Sequence, residues 1–488
     1  MAKRNMRNKI YFGFLFLFFA CFRYFLILCS DDFFWAGDKG QYLLHHFFVG
    51  DSSFGGSGNG RYLGSILEIY SVRHLIVGVL AYGIFLTLLI YLIYKICGSN
   101  NISLILATLA ILFMPTGVFT DVIAWNAAFV NYVPPMVTSL AFLWVNKQGI
   151  RANFVIDIFL LVLMFCGQLF LESMTVYQLL MIIAVMVFQK YILKSKVRKY
   201  NYFAFAGSVM GTMLMVLNPS YHMISNSSYR QTSHSILQIL HNYVFQTHFY
   251  FLTFNFLLNV LIAFLFIMIL LSKKDIRFRK TIIVILIAYL AYFICINKYI
   301  DYKTVSFLFT VNGLNKSIAY MDAYVMTSFW VVLLALILYI LPKNIKGIAI
   351  FCQISGGITA GPYLIVASPL RVREYFGNYI FMVMVAILIA NYAVQVTFKN
   401  TNFNFSKLNF ISFLLVGLVS MNLLLIMGIN HHANSVRTSD KTWLNTNKVL
   451  TTHVPFRKYV KNLDILSGQT KFYYQNRSNM DFVQKILH

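Results

Sequence analysis

Charged side chains are scarce in this chain: they make up 11% of its 488 residues, whereas 59% are hydrophobic. An ordinary soluble domain carries about 25% charged residues, so this composition excludes one and indicates a polytopic membrane protein. Acids are the scarcest charges, with 15 Asp and Glu against 40 Lys and Arg. In a soluble protein such an excess would point to nucleic acid. In a membrane protein, basic residues collect in inner loops and fix the topology. We therefore expect a lipid bilayer and no nucleic acid as partner.

Cysteine pairs and metal-like spacings are missing as well. The six cysteines lie in or beside apolar runs, and none forms a CxxC pair or a ligand spacing with histidine. We interpret them as small core hydrophobes. The histidines of the predicted outer segments show no metal spacing either, and they are His222, His234, His241, His431 and His432. We expect no metal site built from these residues.

The N-terminus lacks the features of a cleavable signal peptide. Four basic residues within the first nine precede an apolar run. The run is longer than a signal-peptide core, and Leu28-Cys29-Ser30 is not a small-x-small cleavage site. We expect an uncleaved first span.

Long apolar runs dominate the rest of the chain. Runs of about 17–25 residues predict transmembrane helices. We count thirteen, which predicts an all-α, polytopic transmembrane protein. The spans begin near Ile10, His74, Ile102, Pro134, Phe154, Met174, Tyr202, Phe249, Thr281, Asp322, Gly347, Tyr379 and Phe410.

The loop charges predict the orientation. With the N-terminus inside, the inner segments hold twenty-one Lys and Arg against one acid, Asp275. Thirteen of the fifteen acids then lie at or beyond the outer surface, which also carries the long polar loops. We expect a multi-pass protein of the cell membrane that works on its extracytoplasmic face. Its predicted parts are a membrane domain over 1–430 and a short outer tail over 431–488.

An acidic pair opens the first outer loop, 31–73, and the rest of the chain is organised around it. Asp31 and Asp32 follow the first span directly. Carboxylates at a membrane border are costly unless they are paired, hydrated or used. The Gly-rich segment 54–61 in the same loop lacks the Gly-Lys-Ser/Thr of a nucleotide phosphate loop, which leaves a flexible linker. Apolar residues at helical spacing after Arg61 predict a helix on the membrane surface.

Two further outer segments carry candidate ligands. In the second outer loop, 121–135, Asn126 and Asn131 could bind hydroxyls, while the aromatic residues suit the membrane interface. Glu172 interrupts two apolar runs at the outer end of span five. An acid so enclosed either pairs with a cation or contributes to a site.

Arginines on the same predicted face form a candidate anion site together with Asn218. Arginine suits bidentate phosphate recognition and keeps its charge, although anchoring to anionic lipid headgroups is the alternative. The arginines are Arg61, Arg230, Arg371 and Arg373.

These motifs resemble those of the GT-C superfamily of polytopic glycosyltransferases, and most closely the bacterial members that decorate surface polysaccharides or teichoic acids. The resemblance covers most of residues 1–430 and rests on short motifs. The motifs are Ser30-Asp-Asp-Phe33, Asn59-Gly-Arg61, Leu171-Glu-Ser173, Asn218-Pro219 with Arg230, and Pro369 with Arg371. The resemblance implies a polyprenyl-phosphate-linked sugar as donor, transfer on the outer face, and a first-loop carboxylate as base.

The implied chemistry assigns roles to the candidates. Asp31 is the expected base that takes the proton of an acceptor hydroxyl. Asp32 would orient the acceptor or an arginine, and Glu172 would hold an arginine or a sugar hydroxyl. The arginines would stabilise the phosphate leaving group. No cofactor is required, and a divalent cation between Asp31 and Asp32 stays an open alternative.

Two other classes compete with this hypothesis of an inverting glycosyltransferase. A polysaccharide polymerase or ligase also acts on lipid-linked glycans. The Asp pair in the first outer loop favours the glycosyltransferase, so the polymerase or ligase is the second hypothesis. A flippase or transporter predicts charged residues in mid-span, where the sequence offers only Arg23 and Asp157. The sugar and the cell-surface glycan acceptor stay open.

Overall fold

The fold is helical throughout the residues that a computed structural model describes. These are residues 2–45, 59–218, 221, 235–251, 255–297, 316–365, 371–399, 405–439 and 454–461. Within these ranges no strand is present. The predicted all-α class is confirmed for this part of the chain.

Eleven helices occupy the described residues of the N-terminal half. They are α1 Ala2–Tyr24, α2 Asp31–Ala36, α3 Asp38–His45, α4 Tyr62–Arg73, α5 Leu75–Cys97, α6 Asn101–Leu112, α7 Thr116–Val118, α8 Asn126–Gln148, α9 Phe154–Gly167, α10 Glu172–Val187 and α11 Lys199–Val216. Wider π-helical turns extend α7 and α10, over Phe119–Ile123 and Phe188–Ile192.

The described residues of the C-terminal half add nine helices. They are α12 Ile236–Asn242, α13 His248–Phe251, α14 Phe256–Ser272, α15 Arg279–Tyr292, α16 Lys316–Ile340, α17 Lys343–Ala360, α18 Pro362–Ile365, α19 Phe376–Thr397 and α20 Phe405–Ser439. Wider turns follow α12 and α15, over Tyr243–Thr247 and Phe293–Asn297, and tight 3-10 turns form at Val372–Tyr375 and Arg457–Tyr459.

Several of these helices could cross a membrane. Among the described residues, eight are long and apolar enough, or nine if the bent pair of α6 and α7 with its extension is one span. Twelve of the thirteen predicted starts lie inside a helix, and His74 directly precedes one. The count of thirteen spans and the inner N-terminus remain predictions.

The outward face of α20 shows why lipid is the fitting solvent. Phe410, Leu414, Leu418, Met421 and Leu425 recur every three or four residues along this helix, and each is more than half exposed. A stripe of large apolar side chains would be costly in water. Hydrocarbon removes that cost, so the stripe is consistent with a multi-pass membrane protein.

The fourth predicted span begins earlier than the sequence indicates. The apolar run predicts a start near Pro134, whereas α8 begins at Asn126. Asn126 and Asn131 therefore lie on a helix and not in a loop. The early start has a tertiary cause, because a carboxylate from another helix binds the first turn of α8, and no local pattern reports that contact.

The described helices form two compact units. Unit 1 comprises Met1–Leu92, Thr116–Ile224 and Leu415–His488, and unit 2 comprises Ile93–Pro115 and Ser225–Leu414. The predicted division at residue 430 falls inside α20. The described tail residues, 454–461, belong to unit 1.

Small residues bring two helices of unit 1 together. Gly207 and Gly211 of α11 lie one turn apart against the backbone of α9. A Cβ at Gly211 would lie 2.6 Å from the Phe165 carbonyl oxygen, and one at Gly207 would meet the Leu161 carbonyl oxygen still more closely. Such small-xxx-small contacts let membrane helices approach closely where no hydrophobic effect drives their association.

Unit 2 is built around α19, which is buried along most of its length. Amide side chains fix its ends to neighbouring helices. Asn391 accepts a hydrogen bond from Asn100 at 3.0 Å, and Asn378 accepts one from Asn255 at 2.7 Å. A helix that is apolar all round and covered on every side is a core helix.

Candidate active site

The acidic pair lies on α2, a helix of six residues that follows α1 in unit 1. The two carboxylates have different surroundings. Asp32 is fully buried, and its Oδ2 accepts the Cys29 N–H at 3.1 Å while its Oδ1 accepts the Ala127 N–H at 2.9 Å. Ala127 lies in the first turn of α8, whose own N-cap residue, Trp125, makes no capping bond. Asp32 therefore caps α8 from another helix, which suits a negative charge at a helix N-terminus.

Burial raises the pKa of Asp32 from 3.8 to about 7. The hydrogen bonds from Cys29 and Ala127 and the charge of Arg23 oppose this rise, and the neighbouring Asp31 adds to it. Asp32 therefore exchanges its proton close to neutral pH.

Asp31 is exposed and, among the described residues, accepts no hydrogen bond. Its oxygens are open to a ligand, whereas both oxygens of Asp32 already serve the backbone. Two adjacent carboxyl groups with such different surroundings can take separate roles. The geometry makes Asp31 the accessible group and Asp32 the group that positions it.

Ser30 holds the acidic pair in a strained turn. Its φ is 53° and its ψ is −123°, a region that residues with a side chain rarely adopt. Strain of this kind costs about 1–3 kcal/mol and concentrates at functional sites. The turn starts α2 directly at Asp31, so the strained residue fixes where both carboxylates lie.

A second charged group lies where α4 begins. Arg61 directly precedes this helix and meets the Glu172 carboxylate side-on, with its Nε 2.9 Å from both oxygens and its Nη2 2.7 Å from Oε2. Tyr221 also donates to Oε1 of Glu172, at 2.8 Å. Of the two roles that the sequence left open for Glu172, the structure shows the ion pair with a cation. A guanidinium has five N–H groups, and among the described residues those of Nη1 bond no part of Glu172.

Backbone hydrogen bonds also hold the start of α4, where Arg61 lies. The turn between α9 and α10 directs the Leu169 carbonyl oxygen at the start of α4, where it accepts the N–H groups of Leu63 and Gly64 at 3.0 and 3.3 Å. The first N–H groups of a helix have no partner inside it. The turn supplies one and brings Glu172, three residues later, to Arg61.

The helix α4 has a buried polar stripe, which the sequence analysis missed. Ser65, Glu68 and Ser71 recur every three residues and are at most 4% exposed. Ser71 donates to Oδ1 of Asn126 at 3.2 Å and accepts from its Nδ2 at 2.9 Å. A helix lying on the membrane surface would direct such residues to water. The predicted helix exists, but its polar side faces the interior of unit 1.

Glu68 is the functional candidate that the sequence analysis passed over. Burial raises its pKa well above 4.5, and the charges of Asp32 and Asp31 raise it further. Its Oε1 has no hydrogen-bond partner among the described residues. Serine and acid repeated every three residues after Arg61 were the available signal, but the apolar residues between them dominated the pattern.

The two predicted asparagines lie beside this stripe. Asn131 donates to the Ala127 carbonyl at 2.7 Å, and its Oδ1, which has no hydrogen-bond partner in the described part, packs on Gly64. Asn218 donates to the Tyr62 hydroxyl at 3.0 Å. Both are therefore brought to α4.

The tail supplies a residue that the sequence did not indicate. Lys461 forms a buried ion pair with Asp121 and lies 5.5 Å from the ring of Trp125, just before α8. Thr120 donates to the Lys458 carbonyl. Residues 454–461 of the predicted tail therefore contact the segment Thr120–Trp125 of unit 1.

The structure describes two of the other three predicted arginines, and both belong to unit 2. Arg230 lies outside the described residues. Arg371 and Arg373 belong to unit 2, where the Arg371 N–H donates to Glu374 at 3.1 Å at the start of a tight turn. Among the described residues of unit 1, Arg61 is the one member of the four predicted arginines.

The residues that could hold a metal ion are few. In the described ranges no group of three or more His, Cys, Asp or Glu side chains comes together. Of the acidic pair, only Asp31 has oxygens not already bound to the backbone. A divalent cation at Asp31 would need further ligands from outside the acidic pair. Comparison with known proteins finds no family model, no curated protein and no solved structure that matches this chain.

Proposed function

We propose that this protein is a membrane glycosyltransferase that moves a sugar from a polyprenyl-phosphate donor to a hydroxyl of a cell-surface glycan or teichoic acid. One observation carries the proposal. An exposed carboxylate, Asp31, and a cation whose Nη1 does not bond Glu172, Arg61, belong to the same unit and lie at the two ends of the buried polar stripe of α4. The motif resemblance points to the same reaction.

The distance from Arg61 to Glu68, in the middle of the stripe, matches this kind of donor. Glu68 lies seven positions after Arg61, which is about 10 Å along a helix. That distance is comparable to the length of a sugar phosphate. Buried serine, asparagine and carboxyl groups suit sugar hydroxyls, because each can donate or accept a hydrogen bond.

The reaction needs one base and one cation. Asp31 takes the proton of the acceptor hydroxyl. At the same time the oxygen of that hydroxyl bonds to the anomeric carbon of the sugar. The bond from that carbon to the phosphate oxygen breaks, and the phosphate leaves with the electron pair. Arg61 stabilises the charge that develops there. A single displacement of this kind inverts the anomeric carbon.

The neighbouring groups hold this arrangement in place. Asp32 fixes Asp31 through the first turn of α8, Glu172 fixes the guanidinium of Arg61, and Glu68 offers a neutral carboxyl to a sugar hydroxyl. A lipid-linked donor lies in the bilayer, so the site belongs at a membrane border. The charge distribution of the loops favours the extracytoplasmic face of the cell membrane.

The test is a transfer assay with the full chain in lipid nanodiscs, radiolabelled polyprenyl-phosphate sugars and an isolated cell-wall glycan. Asp31→Asn should lower transfer by about 10²–10⁴-fold, the usual contribution of a general base, and should leave donor binding intact. Arg61→Met should weaken donor binding itself. Lys199→Met is the matched control, because it removes an exposed cation of the same unit. Wild-type rates in Asp31→Asn would remove Asp31 from its role.

A lipid-linked-sugar flippase is the second candidate, and one observation favours it. Asp322 lies seven residues into α16, a candidate span, and is fully buried against His248. Ionisable residues inside a membrane often mark a transport path. Movement of the labelled lipid between leaflets without transfer to the glycan would favour this function over the first.

A further inference from the structure

The described tail residues, 454–461, form a strap that packs on unit 1 close to the acidic pair. Its two valines form one buried cluster with Ile27, which lies between α1 and α2. The Asn430 side chain on α20 donates to the Phe456 carbonyl oxygen and accepts the Phe456 N–H, both at 2.9 Å. An amide that pairs with both backbone groups of one residue fixes the position of the strap along unit 1.

Lys461 lies at the end of this strap and is buried between two segments of the candidate site. Its Nζ pairs with Asp121 and lies over the ring of Trp125, the residue just before α8. Its backbone N–H donates to the sulfur of Cys29, two residues before the acidic pair. These three contacts form a clasp between the turn that precedes α2 and the segment that precedes α8.

Asp32 joins the same two segments. It accepts the N–H groups of Cys29 and Ala127. Cys29 therefore bonds both Asp32 and Lys461. On the other side, Ala127 lies two residues after Trp125, whose ring lies under the Lys461 ammonium. The clasp and the carboxylate of Asp32 thus hold one joint from two directions.

We propose that Lys461 is a positioning residue that holds the turn of the acidic pair against the start of α8. The consequence for catalysis rests on the proposed function, in which Asp31 is the base. A catalytic group misplaced by about 1 Å can cost about 10²-fold in rate. The clasp itself does not depend on that reaction and can be measured without it.

The thiol of Cys29 reports the clasp. Burial raises the pKa of this thiol well above 9.0, and the charge of Asp32 raises it further, so the reactive thiolate is scarce in the folded chain. The charge and the N–H of Lys461 oppose that rise. Loss of the lysine charge alone would therefore slow the reaction of the thiol. Release of the strap would expose the thiol and speed it.

The first experiment labels the full chain in nanodiscs with N-ethylmaleimide and quantifies the labelled peptides by mass spectrometry. Trypsin cuts after Arg23 and Lys39, which separates Cys29 from the other five cysteines. Because a broken buried ion pair is strongly destabilising, Lys461→Met should speed the labelling of Cys29 by about tenfold or more. Lys461→Arg keeps the pair and should react like the wild type. Lys458→Met is the control, since it removes an exposed cation of the same strap.

The second experiment is the transfer assay, with rates taken per folded chain. Lys461→Met should lower kcat by about 10²-fold and leave the KM for the lipid-linked donor unchanged. Lys461→Arg should restore kcat, because the guanidinium can pair with the same acid. A residue with a merely structural role would lower the amount of folded protein and leave kcat per folded chain unchanged.

Unchanged or slower labelling of Cys29 in Lys461→Met would overturn the clasp. Faster labelling with an unchanged kcat would overturn the positioning role. If the wild-type chain transfers no sugar, the proposed function fails while the labelling still decides the clasp. If Lys461→Met does not fold, Asp121→Asn weakens the same pair from the other side and must give the same two results.

Discussion

The ion pair between Arg61 and Glu172 should contribute measurably to stability, unlike most surface pairs. We expect the replacement of either partner by an apolar residue, Arg61→Met or Glu172→Leu, to destabilise unit 1. We further expect the double variant to be more stable than the sum of the single losses implies. That difference is the coupling energy of the pair.

The magnitude follows from the geometry. The pair has two charge-assisted N–H donors on one carboxylate, and such bonds contribute about 1.5–3 kcal/mol each where they are buried. The side chains of Arg61 and Glu172 are 22% and 32% exposed, so water competes with part of that gain. We expect a coupling energy of about 2 kcal/mol, above the 0.2–1 kcal/mol of exposed pairs.

The chain offers its own comparison pair. Lys199 and Asp157 are 3.5 Å apart in the same unit, but the lysine side chain is 69% exposed and the contact is single. A matched cycle on this pair should give less than about 1 kcal/mol. Both cycles can be measured by SDS-driven unfolding from detergent micelles. The hydrogen bond from Tyr221 to Glu172 is lost in both variants that lack Glu172, so its contribution cancels in the cycle.

Equal coupling energies for the two pairs would refute the reasoning. The side-on geometry of Arg61 would then carry no more free energy than a loose surface contact. A coupling energy near zero at Arg61 with a large one at Lys199 would refute it more strongly. A coupling energy near zero at Arg61 would mean that Glu172 does not hold the guanidinium in place.

Three further outcomes are expected from the same unfolding measurement. Gly207→Leu should lower stability by about 1–3 kcal/mol through overpacking, whereas Gly357→Leu, in a helix position with nothing within 4 Å, should not lower it; equal losses would contradict the close approach of α9 and α11. Because the pKa of Asp32 is raised from 3.8 to about 7 in the folded chain, its contribution to stability is complete below pH 3.8 and is lost as the pH rises to about 7. Stability should therefore fall by about 4 kcal/mol across that window, and a pH dependence unchanged in Asp32→Asn would contradict the assignment. Ser30→Gly should raise stability by about 1 kcal/mol by relieving the strained turn, and a loss of stability would show that its side chain has another role.

Helix positions were the most predictable feature of the chain. Transmembrane length and apolar composition are local properties, and the predicted starts coincide with helices for that reason. The pairing of Glu172 was also within reach, because an acid enclosed between apolar runs needs a cation. The loop charges alone predicted that Arg61 and Glu172 lie on the same face of the membrane.

The difference between the surroundings of Asp31 and Asp32 was not predictable. The two residues are neighbours of identical chemistry, and only the first turn of α8, ninety-five residues later, separates their surroundings. The same contact moves the start of α8 to Asn126. Such effects arise from tertiary capping, which has no local signature in sequence.

Glu68 shows how an apolar background conceals a polar stripe. Its helix has more apolar than polar residues, so periodicity alone predicts a surface helix with its apolar side in the membrane. The structure buries the polar side instead, which is favourable only if the carboxyl is neutral or bound. An unsatisfied Oε1 in that position is costly for a purely structural residue. A hydroxyl-bearing ligand would remove that cost, and the sugar of the proposed donor is such a ligand.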